Sequence, residues 1–214
     1  FAVGSNFFPA VDTAFDGVVE VQRSDGGTCS GSLLTTGRHI LTAAHCVDFG
    51  VDSDGDGNAD MGNGVLDFVN YNIQFDLTNG MQFVLGGMNR TDVSVPGAWN
   101  GNWRDWQAGG GNDIAIITLP EIAPGGSQGA DSYDIFRGNN EVGRNFTVVG
   151  YGRTGTGVLV GGNQAGHIPG TTGTRRAGTN RFDSASGTTL QYDLDNAAGE
   201  VTTAPGDSGG PSFR

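Results

Sequence analysis

Apolar residues in this chain come in short runs. Segments rich in β-branched and aromatic side chains recur at 18–22, 32–35, 39–42, 68–75, 82–85, 91–95, 114–119, 146–151 and 190–194. Most are bounded by Gly, Asn, Asp or Pro, which turn or interrupt an extended chain. No window keeps an apolar stripe at helical spacing over about eleven residues. The pattern therefore predicts an all-β chain of strands and turns, arranged as a sandwich or barrels. Asn79-Gly80 sits between two apolar runs and predicts a hairpin, because both residues tolerate positive φ. Two polar segments, 48–63 crowded with aspartate and 155–180 crowded with Gly and Thr, are predicted surface loops. The connection 120–132 is the predicted boundary between two halves, residues 1–125 and 126–214.

Composition narrows the functional classes. With 39 glycines among 214 residues and 36% hydrophobic residues, the chain has both many turns and enough apolar mass for a sizeable core. A formal net charge of −12 repels phosphate backbones and anionic lipid, so neither nucleic acid nor a membrane is an expected partner. No stretch approaches the roughly 18 apolar residues that cross a bilayer. The N-terminus carries none of the features of a signal peptide, so the chain reads as soluble and already processed, with its acidity serving solubility outside the cell.

Three segments carry chemistry. Pro205-Gly206-Asp207-Ser208-Gly209-Gly210-Pro211 is a glycine-rich turn able to expose a serine hydroxyl, and it turns the N–H groups of Gly206 and Ser208 toward a developing oxyanion. A serine is a weak nucleophile without a base, and histidine suits that task because it titrates near working pH. His45 ends the run Leu41-Thr42-Ala43-Ala44-His45-Cys46, and Asp113 opens the apolar run Asn112-Asp113-Ile114-Ala115-Ile116-Ile117. A carboxylate at the mouth of such a strand can hold an imidazole in one tautomer.

Together these segments resemble the chymotrypsin/trypsin family, which shows Thr-Ala-Ala-His-Cys, Asn-Asp-Ile-Ala and Gly-Asp-Ser-Gly-Gly-Pro motifs in this order. Cys29-Ser30-Gly31-Ser32-Leu33-Leu34 and Val149-Gly150-Tyr151-Gly152 are similar to further family segments, with Tyr151 where relatives have Trp. The resemblance implies two packed six-stranded antiparallel barrels, the second incomplete in this chain, with the active site in the cleft between them. It also implies His45 as general base, Asp113 as its orienting carboxylate, Ser208 as nucleophile, Gly206 and Ser208 as oxyanion donors, and a Cys29–Cys46 disulfide formed in an oxidising compartment. The implied protein is a secreted serine endopeptidase acting on protein or peptide substrates. A catalytically silent binding module on the same fold is the alternative. An esterase is less favoured, since its serine elbow needs a strand-to-helix context.

Several positions depart from the family pattern. Thr202, six residues before Ser208, stands where enzymes cutting after Lys or Arg carry Asp, so small, apolar or aromatic residues are the expected preference. Asp207 would pair with a processed N-terminal ammonium near Phe1 to Val3, or with an internal arginine such as Arg144 or Arg153. Asp52, Asp54, Asp56, Asn58 and Asp60 have the spacing of a calcium loop with its turn glycine at Gly57, which predicts structural Ca²⁺. Trp99, Trp103 and Trp106 are expected to pack a long loop over the cleft. Finally, Arg214 comes only six residues after Ser208, and the resemblance leads us to expect a companion C-terminal polypeptide that completes the second barrel.

Overall fold

The computed structural model describes residues 8–9, 15–48, 71–88, 92–99, 112–125, 129–160, 164–168, 170–194 and 200–214. Fifteen strands are formed: β1 (Phe8–Pro9), β2 (Val18–Arg23), β3 (Thr28–Leu33), β4 (His39–Thr42), β5 (Tyr71–Asp76), β6 (Gln82–Met88), β7 (Val93–Ser94), β8 (Ala115–Thr118), β9 (Asn145–Gly150), β10 (Gly155–Val160), β11 (Gln164–His167), β12 (Arg176–Arg181), β13 (Ser184–Ser186), β14 (Thr189–Gln191) and β15 (Ser212–Phe213). Among the described residues there is no α-helix, and the expected all-β class holds.

Two antiparallel sheets organise the chain. The first has seven strands in the order β6-β5-β2-β3-β4-β8-β7, and the second has four in the order β1-β12-β9-β15. The hairpins β10-β11 and β13-β14 stand as separate two-stranded ribbons. The predicted hairpin at Asn79-Gly80 joins β5 to β6, with the Leu77 N–H donating to the Met81 carbonyl at 2.9 Å. The N-terminal pair Phe8–Pro9 belongs by pairing to the second sheet, where it lies against Ala177 and Arg176.

β2 explains how the halves meet. Its sequence, VVEVQR, is buried almost throughout, as expected of a strand covered on both faces. Val19 and Val21 point into the first core with Ile40, Ile73, Phe75 and Ile117. Val18, on the opposite face, packs with Val149, Tyr151 and Ala177 of the second half. Each such fully buried side chain contributes roughly 1.5–3 kcal/mol of transfer free energy. A separate cluster of Phe146, Val148, Phe182 and Val201 fills the far side of the second sheet. Polar ties reinforce the contact: Arg175 forms a buried ion pair with Asp16 at 2.9 Å and donates to the Asp76 carbonyl at 2.7 Å.

One expectation fails. Segment 155–180 does not form a surface loop, since it supplies β10, β11 and most of β12, the strand between β1 and β9. The β12 sequence, RAGTNR, has neither apolar alternation nor β-branched enrichment, so nothing local announces it. Tertiary contacts make it a strand. Ala177 is fully buried, and Asn180 donates to the carbonyls of Asp193 and Val201 at 2.8 and 2.7 Å. Gly178 lies so close to Val201 that a Cβ there would sit 2.3 Å from its Cγ1. Val201 is itself fully buried and β-branched, so it cannot swing away. The Gly178→Ala variant is expected to lose about 1–3 kcal/mol of stability through overpacking. Urea unfolding checks this, and adding Val201→Ala should restore part of the loss.

Candidate active site

The register of the first sheet brings His45 and Asp113 together. Thr42 at the end of β4 faces Ala115 at the start of β8 in antiparallel pairing, so the chain after Thr42 and the chain before Ala115 emerge at the same edge. His45 lies three residues beyond Thr42 in a short 3-10 turn, Ala44–Cys46. The Asp113 carboxylate grips it twice: Oδ1 accepts the His45 backbone N–H at 2.9 Å, and Oδ2 lies 2.7 Å from Nδ1. An ionised carboxylate can only accept, so Nδ1 carries the proton and Nε2 is left as the basic nitrogen. Both side chains are only partly exposed, 20% for His45 and 26% for Asp113, which limits competition from water.

A disulfide joins Cys29 on β3 to Cys46, next to His45, with the Cα atoms 6.1 Å apart. It anchors the histidine turn to the strand beside it.

The Ser208 loop reaches the same place from the second half. The Ser208 carbonyl accepts the Ser30 N–H at 2.8 Å and lies 3.7 Å from Cys46 Sγ. Gly209 has φ 79°. A Cβ on Gly209 would stand 2.3 Å from Thr42 Oγ1 and 2.7 Å from the Ala43 nitrogen. The loop is thus pressed against the two residues that lead into the histidine turn, a contact only glycine permits. Within the loop, Asp207 N–H donates to Ala204 and Gly210 N–H to Asp207, both at 2.9 Å. The Asp207 carboxylate is buried and accepts the N–H groups of Gly152 at 2.8 Å and Ala204 at 2.9 Å. Burial pushes its carboxyl above the usual range, while those hydrogen bonds favour the ionised form.

Sequence reasoning named Cys29-Ser30-Gly31 only as part of a similar segment, and the fold makes Ser30 a junction. Its fully buried hydroxyl donates to the Gly206 carbonyl and accepts the Tyr151 N–H, each at 2.9 Å. Arg176, also unnamed from sequence, is a buried cation whose guanidinium feels the Asp207 carboxylate. Arg144, one of the arginines suggested for that place, has an exposed side chain.

Thr202 is half-buried and lines an open cleft of about 620 Å³ together with Thr203, Tyr192, Asp183 and Asp193. Thr202 itself is uncharged, and the fold adds two carboxylate residues to the same cleft. Trp99 packs in the first core, its indole N–H donating to Asp48 at 2.5 Å. Trp103 and Trp106, the expected calcium ligands Asp52, Asp54, Asp56, Asn58 and Asp60, and Phe1 to Val3 all lie outside the described residues.

Two antiparallel sheets with His45, Asp113 and the Ser208 loop at their junction have the architecture of the trypsin-like serine proteases. The family model described as Trypsin matches residues 5–214, and the chain belongs to that family. Human heparin binding protein is similar in fold, with TM-score 0.60 and 17% identity over 99% of this chain and 79% of that one. Mouse neuropsin, a serine protease of the limbic system, gives TM-score 0.63 at 16% identity, covering 97% of this chain and 81% of its own. An inactivated protease paralogue of the scabies mite gives TM-score 0.63 at 14% identity, covering 99% and 81%. At these identities the likeness is one of fold. No curated protein matches the chain by sequence. No helix among the described residues is long and apolar enough to cross a membrane.

The Ser30 hydroxyl meets two buried backbone groups, so Ser30→Ala leaves both without that partner. A loss of about 1–3 kcal/mol is expected, measured as a lower urea midpoint at unchanged m-value.

Proposed function

We propose that this chain is a secreted serine endopeptidase that cleaves peptide bonds through His45, Asp113 and Ser208. The observation that carries the reading is the two-point grip of Asp113 on the backbone N–H and Nδ1 of His45, at 2.9 and 2.7 Å, beside a glycine-rich serine loop. His45 Nε2 takes the proton from Ser208 Oγ as the oxygen attacks the carbonyl carbon. The resulting oxyanion is met by the N–H groups of Gly206 and Ser208. The tetrahedral intermediate collapses as His45 gives its proton to the leaving amine, and water then cleaves the acyl-enzyme by the same route. Asp113 keeps the imidazole in the reactive tautomer and stabilises the imidazolium. The cleft beside Thr202 receives the side chain preceding the scissile bond. Secretion is supported by the Cys29–Cys46 disulfide, which requires an oxidising compartment to form.

A silent binding module remains the competing reading, because one fold neighbour is named as an inactivated protease. The sequence favours the enzyme, since His45, Asp113, Ser208 and the oxyanion glycine are all present. Ser208→Ala is expected to lower peptide hydrolysis by roughly three to six orders of magnitude with the fold intact. A fluorophosphonate should label Ser208 in the parent chain and not in the variant. Undiminished hydrolysis by Ser208→Ala would overturn the assignment, and an unreactive parent chain would favour the binding module.

We also propose a structural Ca²⁺ site at Asp52, Asp54, Asp56, Asn58 and Asp60, on their spacing alone. Ca²⁺ takes about six to eight oxygen ligands, and unneutralised carboxylates so close in sequence repel one another. A cation that binds only the native state raises its melting temperature. Millimolar Ca²⁺ is therefore expected to raise Tm by several degrees over excess chelator, and identical melting curves would reject the site.

A further inference from the structure

The buried arginine behind the serine loop bonds two segments that themselves touch that loop. Arg176 opens β12, with its side chain 9% exposed, and its Nη1 donates to three carbonyls: Gly152 and Thr171 at 3.0 Å and Thr174 at 3.2 Å. Those carbonyls belong to two separate segments, and both segments touch the oxyanion loop. Gly206, with φ 101°, lies so close to them that a Cβ would sit 2.9 Å from Gly152 Cα and 3.3 Å from Thr172 Cγ2. The Gly152 peptide is held from both ends of the same residue, since its carbonyl accepts from Arg176 and its N–H donates to Asp207 at 2.8 Å.

We propose that Arg176 is a positioning residue for catalysis, clamping segments 151–152 and 171–174 so that Gly206 and Asp207 hold the oxyanion donors in working geometry. The inference rests on the proposed peptidase reading. Burying a guanidinium costs several kcal/mol unless its donors are satisfied, and here the satisfying carbonyls are those that back the serine loop. Charge adds to the geometry: burial pulls the Arg176 guanidinium below its usual range, while the Asp207 carboxylate opposes that shift. Arg176 therefore also favours the ionised carboxylate that accepts the loop N–H groups. All three bonds come from Nη1, so lysine, which also carries its donors on one nitrogen, would keep the charge and part of the contact to these carbonyls.

The neighbouring Arg175 supplies a control. It is equally buried but ties Asp16 and the Asp76 carbonyl, a junction between the halves that does not include the serine loop. Arg176→Met, Arg176→Lys and Arg175→Met would be compared with the parent chain at a temperature well below the lowest Tm. Arg176→Met is expected to lower kcat and the fluorophosphonate labelling rate about 10–100-fold, with KM changed less than about twofold. Arg176→Lys should recover part of the loss, and Arg175→Met should lower Tm while leaving kcat near parent. Hydrogen exchange at the Asp207 and Gly210 amides, both bonded within the loop, should rise at least about tenfold in Arg176→Met, by a smaller factor in Arg176→Lys, and not in Arg175→Met. If Arg176→Met does not fold, Arg176→Lys carries the same readouts. Parent-like kcat and exchange in the Arg176 variants would overturn the proposal, as would losses in the Arg175 and Arg176 variants that merely follow Tm. Hydrolysis or labelling absent from the parent chain would count against the peptidase reading, and the exchange measurement would still decide whether Arg176 positions the loop.

Discussion

Ser30 is the constraint on which the arrangement depends. Its N–H donates to the Ser208 carbonyl, its hydroxyl donates to Gly206 and accepts from Tyr151, and its carbonyl accepts from the Thr42 hydroxyl at 2.7 Å. One small residue on β3 thereby joins the serine loop and the second sheet through its hydroxyl, and the strand that leads to His45 through its backbone. Because Ser30 is wholly buried, each of these bonds replaces a bond to water that the site cannot make. A missing partner is therefore costlier than the same loss at the surface. The disulfide at the preceding residue keeps this strand and the histidine turn together, so the imidazole and the serine loop share a single support.

The surface between the halves is unusually polar for a core, and its members satisfy one another. Asp16 accepts from Arg175 and from the Thr78 backbone and hydroxyl, while Glu20 accepts from Gln22 and Thr28. Gln22 in turn donates to Gln74, which donates to Asp76. Burial pushes the Glu20 carboxyl upward, with the hydrogen bonds from Gln22 and Thr28 opposing it. Such a network gives directional matching where an apolar contact would allow sliding. Directional matching is what a site assembled from two halves requires, since reacting groups lose effect with small displacements.

How much was legible in sequence depended on where the specifying contacts lie. The strand 39–42 was readable to the residue, because alternating burial along a short run leaves its mark on residue type. The turn at Asn79-Gly80 was readable because its chemistry is local. The motifs around His45, Asp113 and Ser208 were readable because their neighbours are constrained by the turn each occupies, and the fold brings His45 and Asp113 into contact near the serine loop. Strand β12 was unreadable, since Ala177 is buried by Val149 and Gly178 by Val201, residues far from both in the chain.

Sequence by itself therefore determined the all-β class and the family, because side-chain type and local turn requirements are written within a few residues. Tertiary structure alone decided that Asp113 grips the backbone N–H and Nδ1 of His45, that Ser30 is the junction, and that Arg176 lies behind the serine loop. Each of these includes a hydrogen bond between residues far apart in the chain, 24 positions for Arg176 to Gly152, 68 for Asp113 to His45 and 176 for Ser30 to Gly206. An ordinary serine or arginine in sequence carries no sign of such a partner, because the bond exists only once the chain has brought its distant acceptor within about 3 Å.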